Sequence, residues 1–142
     1  MSFHKYPRRS SAVIIKDKKI LLLHRIKNGQ EYYILVGGSM EKGETAEQTL
    51  IREIKEEAGL TVRAAKKLGE LYNDFDHRTH HIFLTEIIDG EAKLGGPEEE
   101  RNNEDNQYHL EWHPMSVIHE LILYPDGILE LIKKVDLNFG KY

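Results

Sequence analysis

The spacing of apolar residues divides the chain into short strand-like runs and a few helical stretches. Apolar, largely β-branched or leucine-rich runs predict strands at about 9–16 and 19–25 and a short strand at 31–36. The period then changes. Ala46, Leu50, Ile51, Ile54 and Ala58 recur on one face of a helix spanning about 45–58. Thr45 suits its N-cap, and Gly59 stands where a left-handed C-cap is wanted. Further strands are expected at 62–72 and 80–88, with another at His109 to Trp112. Two helical stretches follow, at about 115–122 and 126–135. Pro125 suits the start of the second, and Ile128, Leu131, Ile132 and Val135 form its apolar stripe. Mixed strands with a few helices imply an α/β layered domain. A chain of 142 residues is long enough for one domain, 1–142, with a real core.

Charge sharpens this picture. The formal net charge is −4, and the acidity is concentrated in two segments. Residues 41–57 hold six glutamates against Lys42, Arg52 and Lys55, and residues 98–105 hold five acids against Arg101. The remainder is net positive. Clustered acids suit cation ligands, whereas a nucleic-acid-binding face has the opposite bias, so no nucleic-acid partner is expected. The chain has no cysteine, which excludes disulfides, thiolate zinc sites and cysteine nucleophiles and fits a reducing, cytoplasmic setting. No apolar run approaches a membrane span, and the basic N-terminus lacks an apolar signal core, so no membrane partner is expected.

The candidate chemistry lies in the acidic helix. Glu53, Glu56 and Glu57 fall at i, i+3 and i+4, so their carboxylates project from neighbouring positions of one face. Like charges at this spacing repel, and here they crowd the negative end of the helix dipole. Selection for helix stability alone would avoid that. A set of hard oxygen ligands for Mg²⁺ or Mn²⁺ accounts for it. The preceding loop, Gly37-Gly38-Ser39-Met40-Glu41-Lys42-Gly43-Glu44, nearly reads as a phosphate loop. It carries Glu44 where such a loop needs lysine, so the charge is reversed and a metal-mediated site fits better.

Residues 38 to 60 together read G-x5-E-x7-R-E-I-x-E-E-x-G-L, from Gly38 through Glu44, Arg52, Glu53, Ile54, Glu56, Glu57 and Gly59 to Leu60. This resembles the Nudix box at every specified position, a match expected by chance on the order of 10⁻⁸ per start position. The resemblance implies a Nudix α/β/α sandwich with a mixed β-sheet. It also implies a metal-dependent hydrolase of a diphosphate linkage in a small-molecule nucleotide, with MutT-like nucleoside triphosphate pyrophosphohydrolysis as the expected subclass. Glu53 and Glu57 would hold the metal together with a backbone carbonyl of Gly37 or Gly38. Glu56 would ligate a second metal or orient water. Arg52 would hold the box carboxylates in place by pairing with Glu44. ADP-ribose or nucleotide-sugar cleavage shares the same box. A non-catalytic nucleotide sensor of the same fold is a third reading, against which the retained Glu53, Glu56 and Glu57 speak.

Outside the box the resemblance points to Arg25 as a contact for substrate phosphates and to Tyr33 as an aromatic that stacks on a base. The competing readings are an edge-strand charge and a packed ring. Val36 departs from the family, many of whose members carry proline there. In the acidic loop Gly95-Gly96-Pro97-Glu98-Glu99-Glu100, the resemblance implies an extra metal ligand or general base among the three glutamates; the preceding Gly-Gly-Pro favours Glu98, and a solvated acidic loop is the competing reading. His77, His80 and His81 lack a zinc spacing, and alternate strand residues face opposite sides. Asp74-x-Asp76 is not a calcium loop, because Thr79 occupies its glycine position. Asn106 and Tyr108 are read as a turn residue and a packed aromatic. The sequence leaves a homodimer open.

Overall fold

The structure, a computed structural model, describes residues 6–74, 76–95 and 102–135. Three strands open the chain: β1 (Arg8–Lys16), β2 (Lys19–Lys27) and β3 (Gln30–Ser39). Their connections are two-residue turns. Asp17 and Lys18 join β1 to β2, and Asn28 and Gly29 join β2 to β3. All four have positive φ, as the hairpin turns that follow strand twist require. Helix α1 (Ala46–Ala58) follows, then β4 (Thr61–Asn73), β5 (Arg78–Asp89) and β6 (Asn106–Pro114). A 3₁₀ segment (Met115–Glu120), the two-residue β7 (Leu123–Tyr124) and α2 (Ile128–Lys133) complete the described part.

β1 organises the sheet. On one side it runs parallel to β5, from Arg8 opposite Thr79 to Ile14 opposite Thr85. On the other it pairs antiparallel with the end of β3, from Arg9 opposite Ser39 to Ala12 opposite Val36. At Ile15 it changes partner to β2. β3 correspondingly leaves β1 and pairs β2 through its first half. β2 lies between β3 and β6, while β4 lines the far edge beside β5. The sheet is therefore mixed and splits where β1 and β3 part.

Both faces of this sheet are covered, which makes it the middle layer of an α/β/α sandwich. Ala12, Ile14, Leu21, Val36 and Phe83 face one way and pack with Leu50, Ile54 and Ala58 of α1. Their chain neighbours Val13, Ile20, Leu22, Leu35, Ile82 and Leu84 face the other way and pack with Ile118, Ile128, Leu131 and Ile132. The run Ile20-Leu21-Leu22-Leu23 is continuous because β2 is buried on both sides.

Several boundaries differ from expectation. β6 is longer than the run His109–Trp112, since its ends are polar yet pair with β2 throughout. The stretch expected as a helix at 115–122 is a 3₁₀ turn. The last helix begins at Ile128, with Gly127 rather than Pro125 at its N-cap. Ile51, expected on the buried face of α1, is 44% exposed.

Candidate active site

Helix α1 carries the site, and its ends are fixed by its own sequence. Thr45 Oγ1 accepts from the Gln48 amide at 3.1 Å, and the Gln48 side chain accepts from the Thr45 amide at 2.9 Å, a reciprocal capping box. Gly59 closes the helix in the left-handed region, at φ 70°. Leu50, Ile54 and Ala58 seat the helix on the sheet. With that face pinned, the Glu53 carboxylate lies directly against the Cα of Gly38, where any Cβ would overlap it. Glu57 is buried, while the Glu56 side chain is half-exposed.

Arg52 ties the glycine loop to this helix. Its Nε and Nη2 donate to the two oxygens of Glu44 at 2.7 and 2.8 Å, a bidentate pair. Nη1 donates to Glu53 Oε1 at 2.8 Å, and Nη2 also donates to the Ser39 carbonyl at 3.1 Å. Glu44 further accepts from the Thr49 hydroxyl and the Glu41 amide, both at 2.9 Å. These donors, Arg52 foremost, hold the Glu44 carboxyl down at about 2. Arg52 is pushed up in turn, chiefly by Glu44. Burial pushes Glu53 the other way, above its ordinary value, against the opposing pull of Arg52.

The depressed Glu44 predicts a pH-dependent stability. Its folded value lies below the ordinary 4.5, so its contribution is fully present above about pH 4.5 and is lost as pH falls through about 2. Glu44→Gln removes that contribution, about 2–3 kcal/mol for a shift of this size. Denaturant melts should show a gap between wild type and Glu44→Gln that is constant above pH 5 and shrinks toward pH 2. A gap unchanged across that window would refute the pairing.

Within the box, Arg52 pairs with Glu44 as expected and also reaches Glu53. Gly37 and Gly38 pair with Ser11 and Ser10 of β1, and the Ser10 carbonyl occupies the space a Gly37 side chain would need. Arg25 is not an edge-strand charge. β2 is interior, and Arg25 is 5% exposed on the α1 side of the sheet. Its guanidinium carbon lies 3.7 Å from the Tyr108 ring centroid, and Nη2 donates to Asn106 Oδ1 at 2.7 Å. Asn106 closes a turn, its amide donating to the Asn103 carbonyl at 3.1 Å, and is also the first residue of β6. Tyr33 is turned away from α1, buried and stacked on His24 at 4.4 Å, so Tyr32, its neighbour, shares the Arg25 face. Glu98, like Glu99 and Glu100, lies outside the described residues. His80 and His81 point to opposite faces, and His80 Nε2 lies 3.2 Å from Asp76 Oδ2. Sequence reasoning did not single out Arg78 or Ser39, because their contact joins strands far apart in the chain.

Among the described residues no three acid or imidazole groups converge into a ready-made metal cage. The donor set nonetheless fits Mg²⁺ or Mn²⁺. Such an ion takes one or two carboxylates and completes its octahedron with water and phosphate oxygens. A carboxylate that burial renders unfavourable as an anion, held against a side-chain-free backbone, gains from a cation beside it.

Comparison with known proteins agrees with the box. The family described as NUDIX domain matches residues 5–133. The chain is 43% identical over 88 residues to an ADP-ribose pyrophosphatase of Methanocaldococcus jannaschii, a match covering 58% of this chain and 52% of that protein. It is 33% identical over 91 residues to the NAD-capped RNA hydrolase NudC of Vibrio atlanticus, covering 62% of this chain and 34% of that protein. The chain thus spans about half of the first relative and a third of the second. Among solved structures, a MutT NUDIX hydrolase from Burkholderia pseudomallei superposes with a TM-score of 0.68 at 23% identity, covering 92% of this chain and 98% of the other. That likeness establishes the shared fold.

Proposed function

The chain belongs to the NUDIX family, and from that premise we propose that it hydrolyses the diphosphate linkage of a nucleoside diphosphate derivative with a divalent metal. The observation that carries this reading is the Glu53 carboxylate seated on Gly38 and bridged through Arg52 to Glu44. Glu53 and Glu57, with a carbonyl of Gly37 or Gly38, would hold Mg²⁺ or Mn²⁺. Glu56, half in solvent, would take a second ion or orient water. The metal, when bound, supplies charge neutralisation at the bridging phosphates and lowers the pKa of the attacking water. The residues supply the rest. Arg52 keeps its carboxylate neighbours Glu41, Glu44, Glu53 and Glu56 from drifting as their charges repel. The glycine pair lets the strand backbone approach without side chains. Glu98 is the candidate base of the acidic loop.

Recognition of the remainder of the substrate falls to the Arg25 layer. Tyr32, paired with Arg25, precedes Gly38 by six residues on β3, roughly 20 Å along an extended strand. At that separation Arg25, Asn106 and Tyr108 serve the far end of the bound molecule rather than the bridge that is cut. A nucleoside triphosphate, cleaved to monophosphate and diphosphate, is the subclass we propose. ADP-ribose cleavage is a second reading, favoured by the relative from Methanocaldococcus jannaschii.

A panel of nucleoside triphosphates, ADP-ribose, nucleotide sugars and simple phosphomonoesters, assayed with Mg²⁺ in ¹⁸O-labelled water, tests the proposal. Every good substrate is expected to contain a diphosphate bridge and to require metal, and the label locates the attacked phosphorus. Faster cleavage of a phosphomonoester than of any bridged compound would overturn the reading.

A further inference from the structure

We infer that Arg78 is a positioning residue for the carboxylate site, acting through Ser39 on the glycine pair. The inference rests on the metal-site reading above and adds a residue outside the box. Ser39, the last residue of β3, follows Gly37 and Gly38 directly. It is held from two sides. On the α1 side its carbonyl accepts from Arg52 Nη2 at 3.1 Å. On the opposite face its hydroxyl accepts from Arg78 Nη2 at 2.5 Å.

Arg78 is itself fixed. It is 8% exposed, its Nε donates to the Tyr6 carbonyl at 3.1 Å, and its amide donates to Asp76 Oδ1 at 3.0 Å. Arg9, on the neighbouring strand, completes the arrangement. Its Nη2 donates to the Leu35 carbonyl at 3.0 Å and its Nε to Ser11 Oγ at 3.2 Å. Two guanidinium groups therefore brace β3 from behind, at Leu35 and at Ser39, on either side of the glycine pair.

The cost of this arrangement argues for a purpose. Burying a guanidinium whose side-chain hydrogen bonds go to neutral oxygens is unfavourable, and burial together with Arg9 depresses the Arg78 pKa against the opposing pull of Asp76 and Glu53. A hydrocarbon side chain would fill the same volume without that penalty. Glycine backbone is intrinsically the least restricted, however, and the carbonyls of a glycine pair serve a metal only if their direction is fixed. The Ser39 hydroxyl gives Arg78 a grip one residue beyond the pair. Arg52 fixes the same residue from the catalytic side. The strand end can then neither slide along β1 nor twist.

Ser39→Ala and Arg78→Lys, singly and combined, test this. Mn²⁺ affinity is measured by electron paramagnetic resonance on the substrate-free protein, beside kcat, KM and melting temperature. Each single change is expected to weaken Mn²⁺ binding about tenfold, as loss of an outer-shell partner does. Each should also lower kcat while KM stays within about twofold. The double variant should be no worse than the weaker single, because both act through one bond. Wild-type Mn²⁺ affinity in Ser39→Ala overturns the inference, as do additive losses. A raised KM with unchanged Mn²⁺ affinity also overturns it, since Arg78 would then touch substrate. Glu57→Gln, run alongside, separates the two layers. Normal Mn²⁺ affinity there sinks the metal site itself, whereas weakened affinity there with a normal Ser39→Ala sinks only the role of Arg78.

Discussion

Glu57→Gln and Glu53→Gln should each lower turnover by about 100-fold or more, a loss typical of removing one group that stabilises transition-state charge. Glutamine keeps the shape of either side chain and removes one charge. Metal affinity and turnover should therefore fall together, in Mn²⁺ titrations and in initial rates at limiting Mg²⁺. Glu56→Gln should cost less, because that side chain is half in solvent and its contact with Arg52 is long, at 3.5 Å. Stability should move differently from activity. Burial already disfavours the Glu53 anion, and glutamine still accepts the Arg52 hydrogen bond. Glu53→Gln is thus expected to melt no lower than wild type, the trade of stability for function seen at charged sites. Near-wild-type activity of both variants at limiting Mg²⁺ would show that the site lies elsewhere.

How far the chain could be read beforehand depends on the range of the forces involved. α1 was legible because its cap, its stripe and its C-terminal glycine are all local. Ile51 was misread for a related reason. Its place on the helical wheel borders the apolar stripe, and only the packed sheet decides which side of the border is covered. The turn at Asn28-Gly29 was a local signal that the hydrophobic pattern alone passes over. β7 and the outer ends of β6 form where neighbouring backbones offer partners, which periodicity does not report. The choice between Tyr32 and Tyr33 is a question of strand parity. A one-residue difference sends a ring to the opposite face, and register across β2 and β3 settles it. The hold of Arg78 on Ser39 spans 39 residues and three strands, so nothing in the sequence marks it. The box itself was legible because its chemistry requires several acids at fixed helical spacing, an arrangement that folding alone disfavours.

Gly37→Ala and Gly38→Ala should fail in different ways, though the two glycines are adjacent. At Gly37 a Cβ would overlap the carbonyl oxygen of Ser10 and come within 2.8 Å of the Ser11 Cα. Both belong to the backbone of β1, which is paired on both sides and has no room to retreat. The expected loss is about 3 kcal/mol or more, from overpacking in a rigid interior. In a domain of this size that lowers the melting temperature by roughly 10 °C. At Gly38 a Cβ would instead strike Cγ, Cδ and Oε2 of Glu53, the outer end of a side chain rather than backbone. That end can rotate aside by giving up its hydrogen bond to Arg52, so the fold should lose less, about 1–2 kcal/mol. The rotation takes the carboxylate away from the backbone carbonyl with which it would share a metal, so Mn²⁺ affinity and turnover should drop as they do in Glu53→Gln. Thermal melts and Mn²⁺ titrations on the two variants give the comparison directly. A stable Gly37→Ala protein would show that β1 and β3 do not approach as closely as the structure has them. A Gly38→Ala protein with full Mn²⁺ affinity would show that Glu53 need not sit on the strand to do its work.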